Sequence, residues 1–359
     1  MMKRLLKIAF LVALIVGTTL IIREHRKMVF QKDEGRIFGT IYHITYQCKD
    51  NLHDQILAEL QRVDNSLSMF NDSSTISRIN RNETVDLSED SLFVEVFTLA
   101  QHISEETGGA FDITVAPLVN AWGFGFKNEQ MPSEAAVDSL RSFVGYQKVA
   151  LVNYSSDSSP HLEGQRGAYI QKHDPRMMLD CSAIAKGFGC DLVAEFFRRK
   201  GIENFMIEVG GEIVVGGVNE KGEKWRIGVT KPESTPEKSS NELQTILELP
   251  MITLHTPHST LAALATSGNY RNFYVKDGKR YAHTIDPRTG RPVQHSILSA
   301  TVIANSCAQA DAYATAFMVA DIDEAKRILD RHPNLLAYLI YTDENGNYAI
   351  YDGLRQRES

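Results

Sequence analysis

The chain has 359 residues, of which 43% are hydrophobic and 23% are charged, and this composition excludes an intrinsically disordered protein. Residues 1–30 contain six Lys or Arg and one acidic residue, which leaves 32 basic and 44 acidic side chains in residues 31–359. The resulting net charge of −12 argues against non-specific nucleic-acid binding, which requires a basic surface, and the four cysteines form no Cys-x-x-Cys pair, which excludes a zinc ribbon and a thioredoxin-type motif.

The first 30 residues have the pattern of a membrane-targeting segment. The basic stretch Met1–Lys7 precedes the uncharged apolar run Ile8–Ile22, and a charged cluster follows at residues 23–27. We predict a secretory signal or an uncleaved N-terminal membrane anchor. The anchor is favoured because no clear small-x-small cleavage site follows the run. A buried core helix is the alternative, and the basic flanks argue against it.

Apolar residues recur at helical spacing in several parts of the chain beyond residue 30. The spacing predicts helices over Leu52–Leu67, Leu92–Ile103, Ser133–Phe143 and Phe188–Lys200. Asp321 and Glu324 fit a capping box before a last helix.

Runs rich in β-branched and aromatic residues predict strands, many of them joined by turn dipeptides such as Asn345-Gly346. The predicted strands are Ile37–Tyr46, Phe205–Val215, Trp225–Val229, Thr245–His255, Phe273–Lys276, Leu298–Ala304, Leu336–Tyr341 and Tyr348–Tyr351. Because helices and strands mix without a strict βαβ rhythm, we predict an α+β fold with a mainly antiparallel sheet and packed helices. Ser155–Gln165 and Lys231–Asn241 are predicted to be loops or insertions.

Two glycine-rich segments have the composition of ligand-binding loops. Thr107–Gly125 is dense in glycine and aromatic residues, which can sandwich a planar ligand such as an isoalloxazine or an adenine. Leu179–Gly189 leads with small residues into a predicted helix, where backbone amides and Lys186 can face a phosphate. A buried aromatic loop and a tightly packed turn are the respective structural alternatives.

Two further motifs carry groups suited to catalysis and metal binding. His283 lies in the turn-like segment Tyr281–Pro292 and is the natural acid–base candidate, although a structural hydrogen-bonding role is the alternative. Asp311 and Thr315 share one face of a helix, and their hard oxygen ligands at this spacing suit Mg²⁺. Alternatively, Asp311 lies near a helix N-terminus and Thr315 bonds back into its own helix.

Taken together and in this order, these segments resemble the ApbE family of FAD:protein FMN transferases. The matching pieces are Phe38–Thr40, Ser68–Asp72, Ile76–Asn80, Gly108–Asp112 through Gly125, Asp180–Gly187, Glu208–Ile213, Ala265–Arg271, His283–Pro292 and Ala310–Thr315. Each piece is moderately specific, whereas the ordered set is highly specific. The resemblance implies a single catalytic domain over residues 31–359.

The resemblance also implies an activity and a set of site residues. The family transfers the FMN half of FAD to a Thr or Ser hydroxyl of an acceptor protein and releases AMP. Asp311, Thr315 and the backbone carbonyl of Ala183 are implied as Mg²⁺ ligands, and His283 as the base for the acceptor hydroxyl. The implied flavin and adenine contacts are Phe38, Phe70, Ala110, Phe111, Asp112, Asp180, Lys186 and Ile285.

This sequence departs from the family pattern at three of those positions. Phe38 stands where Met is frequent, Phe70 where Tyr is common, and Lys186 where some relatives have Glu. The same residues would also serve an FAD hydrolase that yields FMN and AMP, and a flavin-binding protein without turnover is a second alternative. The resemblance further implies an acceptor in a membrane redox complex of the Rnf or Nqr type, at the outer side of the cytoplasmic membrane.

Overall fold

The structure is a computed structural model that describes residues 18, 29–124, 131–153, 167–230, 243–248, 252–253, 260–268, 273–276, 279–282, 284–293 and 297–353. The predicted loops Ser155–Gln165 and Lys231–Asn241 lie outside these residues, as do His283 and nearly all of the N-terminal segment. No helix within the described ranges is both long enough and apolar enough to cross a membrane.

Eight α-helices occur in the described part of the chain. They are α1 His53–Leu67, α2 Thr75–Asn80, α3 Ser91–Glu106, α4 Ala116–Ala121, α5 Glu134–Arg141, α6 Ala185–Arg199, α7 Cys307–Val319 and α8 Ile322–Arg331. Five of them begin with a side-chain cap, and the Asp321 carboxylate accepts the Glu324 amide at 2.7 Å in the predicted position before α8. The predicted helices over residues 52–67, 92–103, 133–143 and 188–200 correspond to α1, α3, α5 and α6.

An antiparallel sheet of nine strands forms the centre of the molecule. Its strands, in spatial order, are β1 Phe30–Ile37, β2 Thr40–Gln47, β5 Phe205–Val209, β6 Glu212–Gly216, β10 Thr260–Gly268, β15 Ile297–Ala304, β16 Leu336–Thr342 and β17 Tyr348–Asp352, with β9 Ile252–Thr253 also paired to β10. Four two-stranded units in the described ranges lie outside it. They are β3 Val149–Asn153 with β4 Ala168–Lys172, β7 Arg226–Thr230 with β8 Leu243–Glu248, β11 Phe273–Lys276 with β12 Lys279–Ala282, and β13 Ile285–Asp286 with β14 Arg291–Pro292. All these pairings are antiparallel, which confirms the predicted α+β class.

Two segments that the sequence predicts as single strands are hairpins. The predicted strand Ile37–Tyr46 begins at the end of β1, turns at Phe38 and Gly39, and continues as β2. The predicted strand Phe205–Val215 turns at Gly210 and Gly211 between β5 and β6. All four turn residues have positive φ angles, a conformation that glycine adopts without steric cost. Both turns point toward the site described below.

The two faces of the sheet are covered by different elements. Alternate residues of β2, β5 and β6, such as Tyr42, Ile207 and Val214, form one buried cluster with apolar residues of α1 and α6. The Phe197 ring of α6 packs on Tyr46 of β2 and Phe205 of β5. The opposite face, which includes Ile213 and Leu264, packs on Ile227 and Val229 of β7. Nearly every residue of α7 is buried, and this alanine-rich helix packs on β10, β15 and α6.

Candidate active site

A cavity of about 1330 Å³ lies where the β1–β2 and β5–β6 turns meet α6 and α7. Its volume exceeds the roughly 300–1,000 Å³ of ordinary small-molecule pockets. It is lined by every predicted site residue in the described part of the chain, namely Phe38, Phe70, Ala110, Phe111, Asp112, Asp180, Ala183, Lys186, Ile285, Asp311 and Thr315. Residues that are up to 277 positions apart in the sequence therefore line one cavity.

Asp311 and Thr315 lie one helical turn apart in α7, and both line the cavity. Asp311 is only 2% exposed, and its Oδ2 atom accepts a hydrogen bond from the Gly187 amide at 3.2 Å. The Thr315 Oγ1 atom lies 3.5 Å from the Ser267 hydroxyl of β10. Ala183, whose carbonyl is the third implied ligand, precedes α6 and lines the same cavity.

Lys186 lies between two buried carboxylates. Its Nζ atom is 3.1 Å from Glu212 Oε1 and 3.6 Å from Asp311 Oδ2, and it donates to the Ser182 carbonyl at 3.3 Å. Burial and the nearby Asp311 raise the pKa of Glu212, and Lys186 opposes this rise. Burial alone would lower the pKa of Lys186, but Asp311 and Glu212 outweigh burial and raise it above its ordinary value. Burial also raises the pKa of Asp311, against the effect of Lys186.

The charge and the donor atoms of this cluster suit a divalent cation. Two carboxylates face one ammonium group, and Glu212 Oε2 is a buried oxygen without a hydrogen-bond partner among the residues that the structure describes. No group of three or more His, Cys, Asp or Glu residues in the described ranges has the arrangement of a metal site. A cation here would therefore depend on a mixed set of carboxylate, hydroxyl and backbone carbonyl oxygens, which are the ligands that Mg²⁺ prefers.

Aromatic residues form much of the apolar part of the cavity. The ring of Phe38 lies against Gly189 of α6, where an added Cβ atom would come within 2.9 Å of that ring. Phe70 lines the cavity and is 67% exposed, whereas Ala110 and Phe111 are buried in the core. An exposed aromatic ring beside a buried apolar wall suits a planar aromatic ligand.

Asp112 and Asp180 hold two loops of the cavity in place. Asp112 Oδ1 accepts from the amide and hydroxyl of Thr114, at 2.8 and 2.7 Å, and Oδ2 accepts from the Tyr146 amide at 2.7 Å. Burial raises the pKa of Asp112, and these hydrogen bonds oppose the rise. The Asp180 amide donates to the Ile113 carbonyl, and its carboxylate accepts the Ser182 amide. The two carboxylates therefore stabilise the loop that precedes α4 and the entry to α6.

His283, the predicted base, lies outside the residues that the structure describes, but the residues that follow it in the chain lie within them. Thr284 and Ile285 line the cavity, and β13 pairs with β14 in a short hairpin. Arg288 ties this hairpin to α8 because it bonds Asp286 at 3.0 Å and Glu324 at 2.8 Å. The indole of Trp122 donates to the Gly290 carbonyl at 2.8 Å and links the hairpin to the end of α4.

Sequence reasoning missed several polar residues that line the cavity, among them Glu212, His43 and Glu208. Glu212 pairs with Lys186 as described, and His43 Nδ1 lies 2.7 Å from Glu208 Oε2 on the neighbouring strand. Glu208 Oε1 also accepts the Gly211 amide at 2.9 Å. The signal was present in the segment Glu208–Ile213, where two glutamates flank a glycine pair that places both of them beside the cavity.

Comparison with known proteins shows which family and which solved structures the chain resembles. A model described as the ApbE family matches residues 38–340. The chain is 34% identical over 325 residues to the FAD:protein FMN transferase of Haemophilus influenzae, covering 87% of this chain and 86% of that protein. It is 32% identical over 328 residues to the FAD:protein FMN transferase of Escherichia coli K12, covering 89% and 86%. The solved structure of the flavin transferase ApbE from Vibrio cholerae aligns with a TM-score of 0.75 at 31% identity, over 92% of this chain and 99% of that one.

Proposed function

The chain belongs to the ApbE family, and from that premise we propose that it is an FAD:protein FMN transferase. It transfers the FMN moiety of FAD to a Thr or Ser hydroxyl of an acceptor protein and releases AMP. One observation carries this proposal: the implied flavin contacts, the implied metal ligands and the turn next to His283 line a single cavity. The cavity also exceeds the usual volume of a small-molecule pocket, which leaves room for an acceptor segment beside the dinucleotide.

We propose that Asp311, Thr315 and the Ala183 carbonyl hold Mg²⁺. The excess of carboxylate over ammonium charge and the hard oxygen donors support this assignment. When bound, the ion neutralises negative charge on the pyrophosphate and makes AMP a better leaving group.

The side chains of the site have distinct tasks in the transfer. Phe70 and the wall formed by Ala110 and Phe111 bind the flavin, while Lys186 at the start of α6 attracts the anionic pyrophosphate. The acceptor oxygen attacks the phosphorus on the FMN side, and the phosphorus–oxygen bond to AMP breaks. His283 takes the proton that the acceptor hydroxyl loses.

The proposal is tested with purified protein, FAD, Mg²⁺ and a recombinant acceptor domain that carries a Thr- or Ser-containing flavinylation segment. We expect a mass increase on the acceptor equal to one FMN and an equimolar release of AMP. Equal AMP release with and without acceptor, and an unmodified acceptor, would identify an FAD hydrolase instead. No AMP under either condition would favour a flavin-binding protein.

Two further proposals concern the location of the protein in the cell and the identity of its acceptor. We propose that residues 1–30 anchor the protein in the cytoplasmic membrane with the catalytic domain on the outer, periplasmic side, and that the acceptor is a subunit of an Rnf- or Nqr-type redox complex. The basic–apolar–charged pattern of residues 1–30 supports the membrane assignment. Mass spectrometry of such subunits, co-expressed with the full chain or with a chain lacking residues 1–30, tests both. Flavinylation independent of the segment would contradict the anchor.

Replacing Lys186 with Met is expected to lower the free energy of unfolding by about 3 kcal/mol, because it leaves Glu212 and Asp311 buried without their ammonium partner. Thermal melts with and without Mg²⁺ measure the effect. Mg²⁺ should restore more stability to this variant than it adds to wild type, since the ion replaces the missing positive charge. Lys224→Met, at an exposed position, is the control. An Mg²⁺ response equal to that of wild type would contradict the metal assignment.

A further inference from the structure

The first turn of α7 is held by a side chain from another helix. Asp191 of α6 accepts the Cys307 amide with Oδ1 and the Ala308 amide with Oδ2, both at 2.8 Å. The local cap Ser306 accepts the Gln309 amide at 3.2 Å. The free amides at the start of a helix are usually satisfied by a neighbouring residue in the chain. Here two of them are satisfied by a carboxylate 116 residues earlier.

A glycine provides a second point of contact between the same two helices. Gly187 precedes Asp191 by one turn of α6, so both face α7. A Cβ atom on Gly187 would lie 2.3 Å from the Cys307 carbonyl oxygen, which is far inside van der Waals contact. The backbones of α6 and α7 therefore touch at Gly187, while Asp191 fixes the start of α7 one turn further along α6.

These two contacts determine where Asp311 and Thr315 lie relative to the entry of α6. Asp311 follows Cys307 by one turn, and its Oδ2 atom accepts the amide of Gly187. Gly187 lies in the first turn of α6, where an amide has no acceptor within its own helix. Sliding or tilting α7 against α6 would thus separate Asp311 from Gly187 and Lys186, and would separate Thr315 from Ala183.

The carboxylate is an expensive cap in energetic terms. Burial raises the pKa of Asp191 to about 7, and the two amide hydrogen bonds oppose this rise. A charged group partly buried between two helices costs more than a local Ser or Asn cap would. Its two oxygens, however, accept from two consecutive amides at once, which fixes the direction as well as the position of the α7 axis.

We propose that Asp191 is a positioning residue for the cation site, since it sets the register of α7 on α6 and thereby the separation of Asp311 and Thr315 from the backbone around Ala183. The inference rests on the proposed function, because the cation is part of that proposal. Asp191 acts through α7, and its carboxylate oxygens are taken up by the Cys307 and Ala308 amides.

The test compares Asp191→Asn with Ser306→Ala and uses Mn²⁺ as the probe. An asparagine accepts one amide and presents its own NH₂ group to the other, whereas Ser306→Ala removes a cap from the same helix without touching α6. Replacing a residue that orients metal ligands without binding the metal itself typically weakens metal binding by about 10–100-fold. We expect Mn²⁺ binding, followed by electron paramagnetic resonance, to weaken at least about tenfold in Asp191→Asn and less than about twofold in Ser306→Ala.

A second readout does not depend on any metal. Hydrogen exchange at the Gly187 amide reports whether Asp311 still accepts its hydrogen bond, and we expect faster exchange in Asp191→Asn but not in Ser306→Ala. If wild type binds no Mn²⁺, the cation site of the proposed function fails, and Gly187 exchange alone decides the positioning role. Unchanged exchange at Gly187 in a folded Asp191→Asn protein would overturn the inference.

If Asp191→Asn does not fold, a second substitution tests whether the register of α7 on α6 controls the site. Gly187→Ala pushes the Cys307 carbonyl away and should displace α7 with the cap intact. Mn²⁺ binding should weaken by a similar factor in this variant. A folded Gly187→Ala protein with wild-type Mn²⁺ affinity would contradict the view that the register of α7 on α6 controls the site.

Discussion

Asp311→Asn is expected to lower the rate of AMP release and of FMN transfer by about a thousandfold. The substitution keeps the shape of the side chain but removes a charged oxygen from a buried site that also contains Lys186. Metal ions contribute several kcal/mol to such reactions, and a loss of about 4 kcal/mol corresponds to about a thousandfold in rate. AMP released from FAD at saturating Mg²⁺, measured by chromatography, is the readout.

Asp323→Asn is the matched control, because Asp323 is an exposed residue in the first turn of α8 and does not line the cavity. It should retain wild-type rates. The Asp311 variant should also lose the rise in melting temperature that Mg²⁺ gives the wild-type protein, which separates a metal defect from a folding defect. Full Mg²⁺-dependent activity in Asp311→Asn would refute the metal assignment.

His283→Ala is expected to reduce FMN transfer by about 10²–10⁴-fold, the range that a positioned general base contributes, while FAD still binds. The acceptor hydroxyl then lacks a group to take its proton, whereas the flavin and pyrophosphate contacts remain. Transfer is measured by the mass of the acceptor at saturating FAD and acceptor, and FAD binding by quenching of flavin fluorescence.

His102→Ala provides the comparison, since His102 is an exposed histidine of α3 that pairs with Glu106 away from the cavity. It should leave transfer unchanged. Turnover by His283→Ala equal to that of wild type, under saturating conditions, would count against the base role and would direct attention to the His43–Glu208 pair that lines the same cavity.

The helices of this fold follow from local sequence, whereas several strands do not. Helical periodicity located α1, α3, α5 and α6 to within a few residues, because each buries one apolar face. The β1–β2 and β5–β6 turns were hidden because each spans only two residues, and because the first of them contains Phe38, a residue type that is common in strands. Strand β10 was missed because its end is polar: Thr266 and Ser267 look like a turn, but Thr266 pairs in register with Thr301, and their hydroxyls lie 2.9 Å apart.

The candidate site likewise contains some residues that the sequence predicts and others that it does not. Asp311 and Thr315 were found because their relation is local, one turn apart in a helix. Glu212 and Asp191 were missed because their partners lie far away in the chain: Glu212 pairs with Lys186 across the sheet and helix layers, and Asp191 caps a helix that begins more than a hundred residues later. Such long-range polar contacts depend on packing, which a single sequence does not contain.

The walls of the cavity come from widely separated parts of the chain, from Phe38 in the first hairpin to Val319 at the end of α7. The central strands on which these walls rest, β10 and β15, also come late, after residue 260. During synthesis, a nascent polypeptide therefore exposes its N-terminal hairpin and helices long before Asp311 and Thr315 have left the ribosome. Under the proposed function, FAD cleavage has to wait until Asp311 and Thr315 have been synthesised, so chains truncated before residue 311 do not consume the dinucleotide.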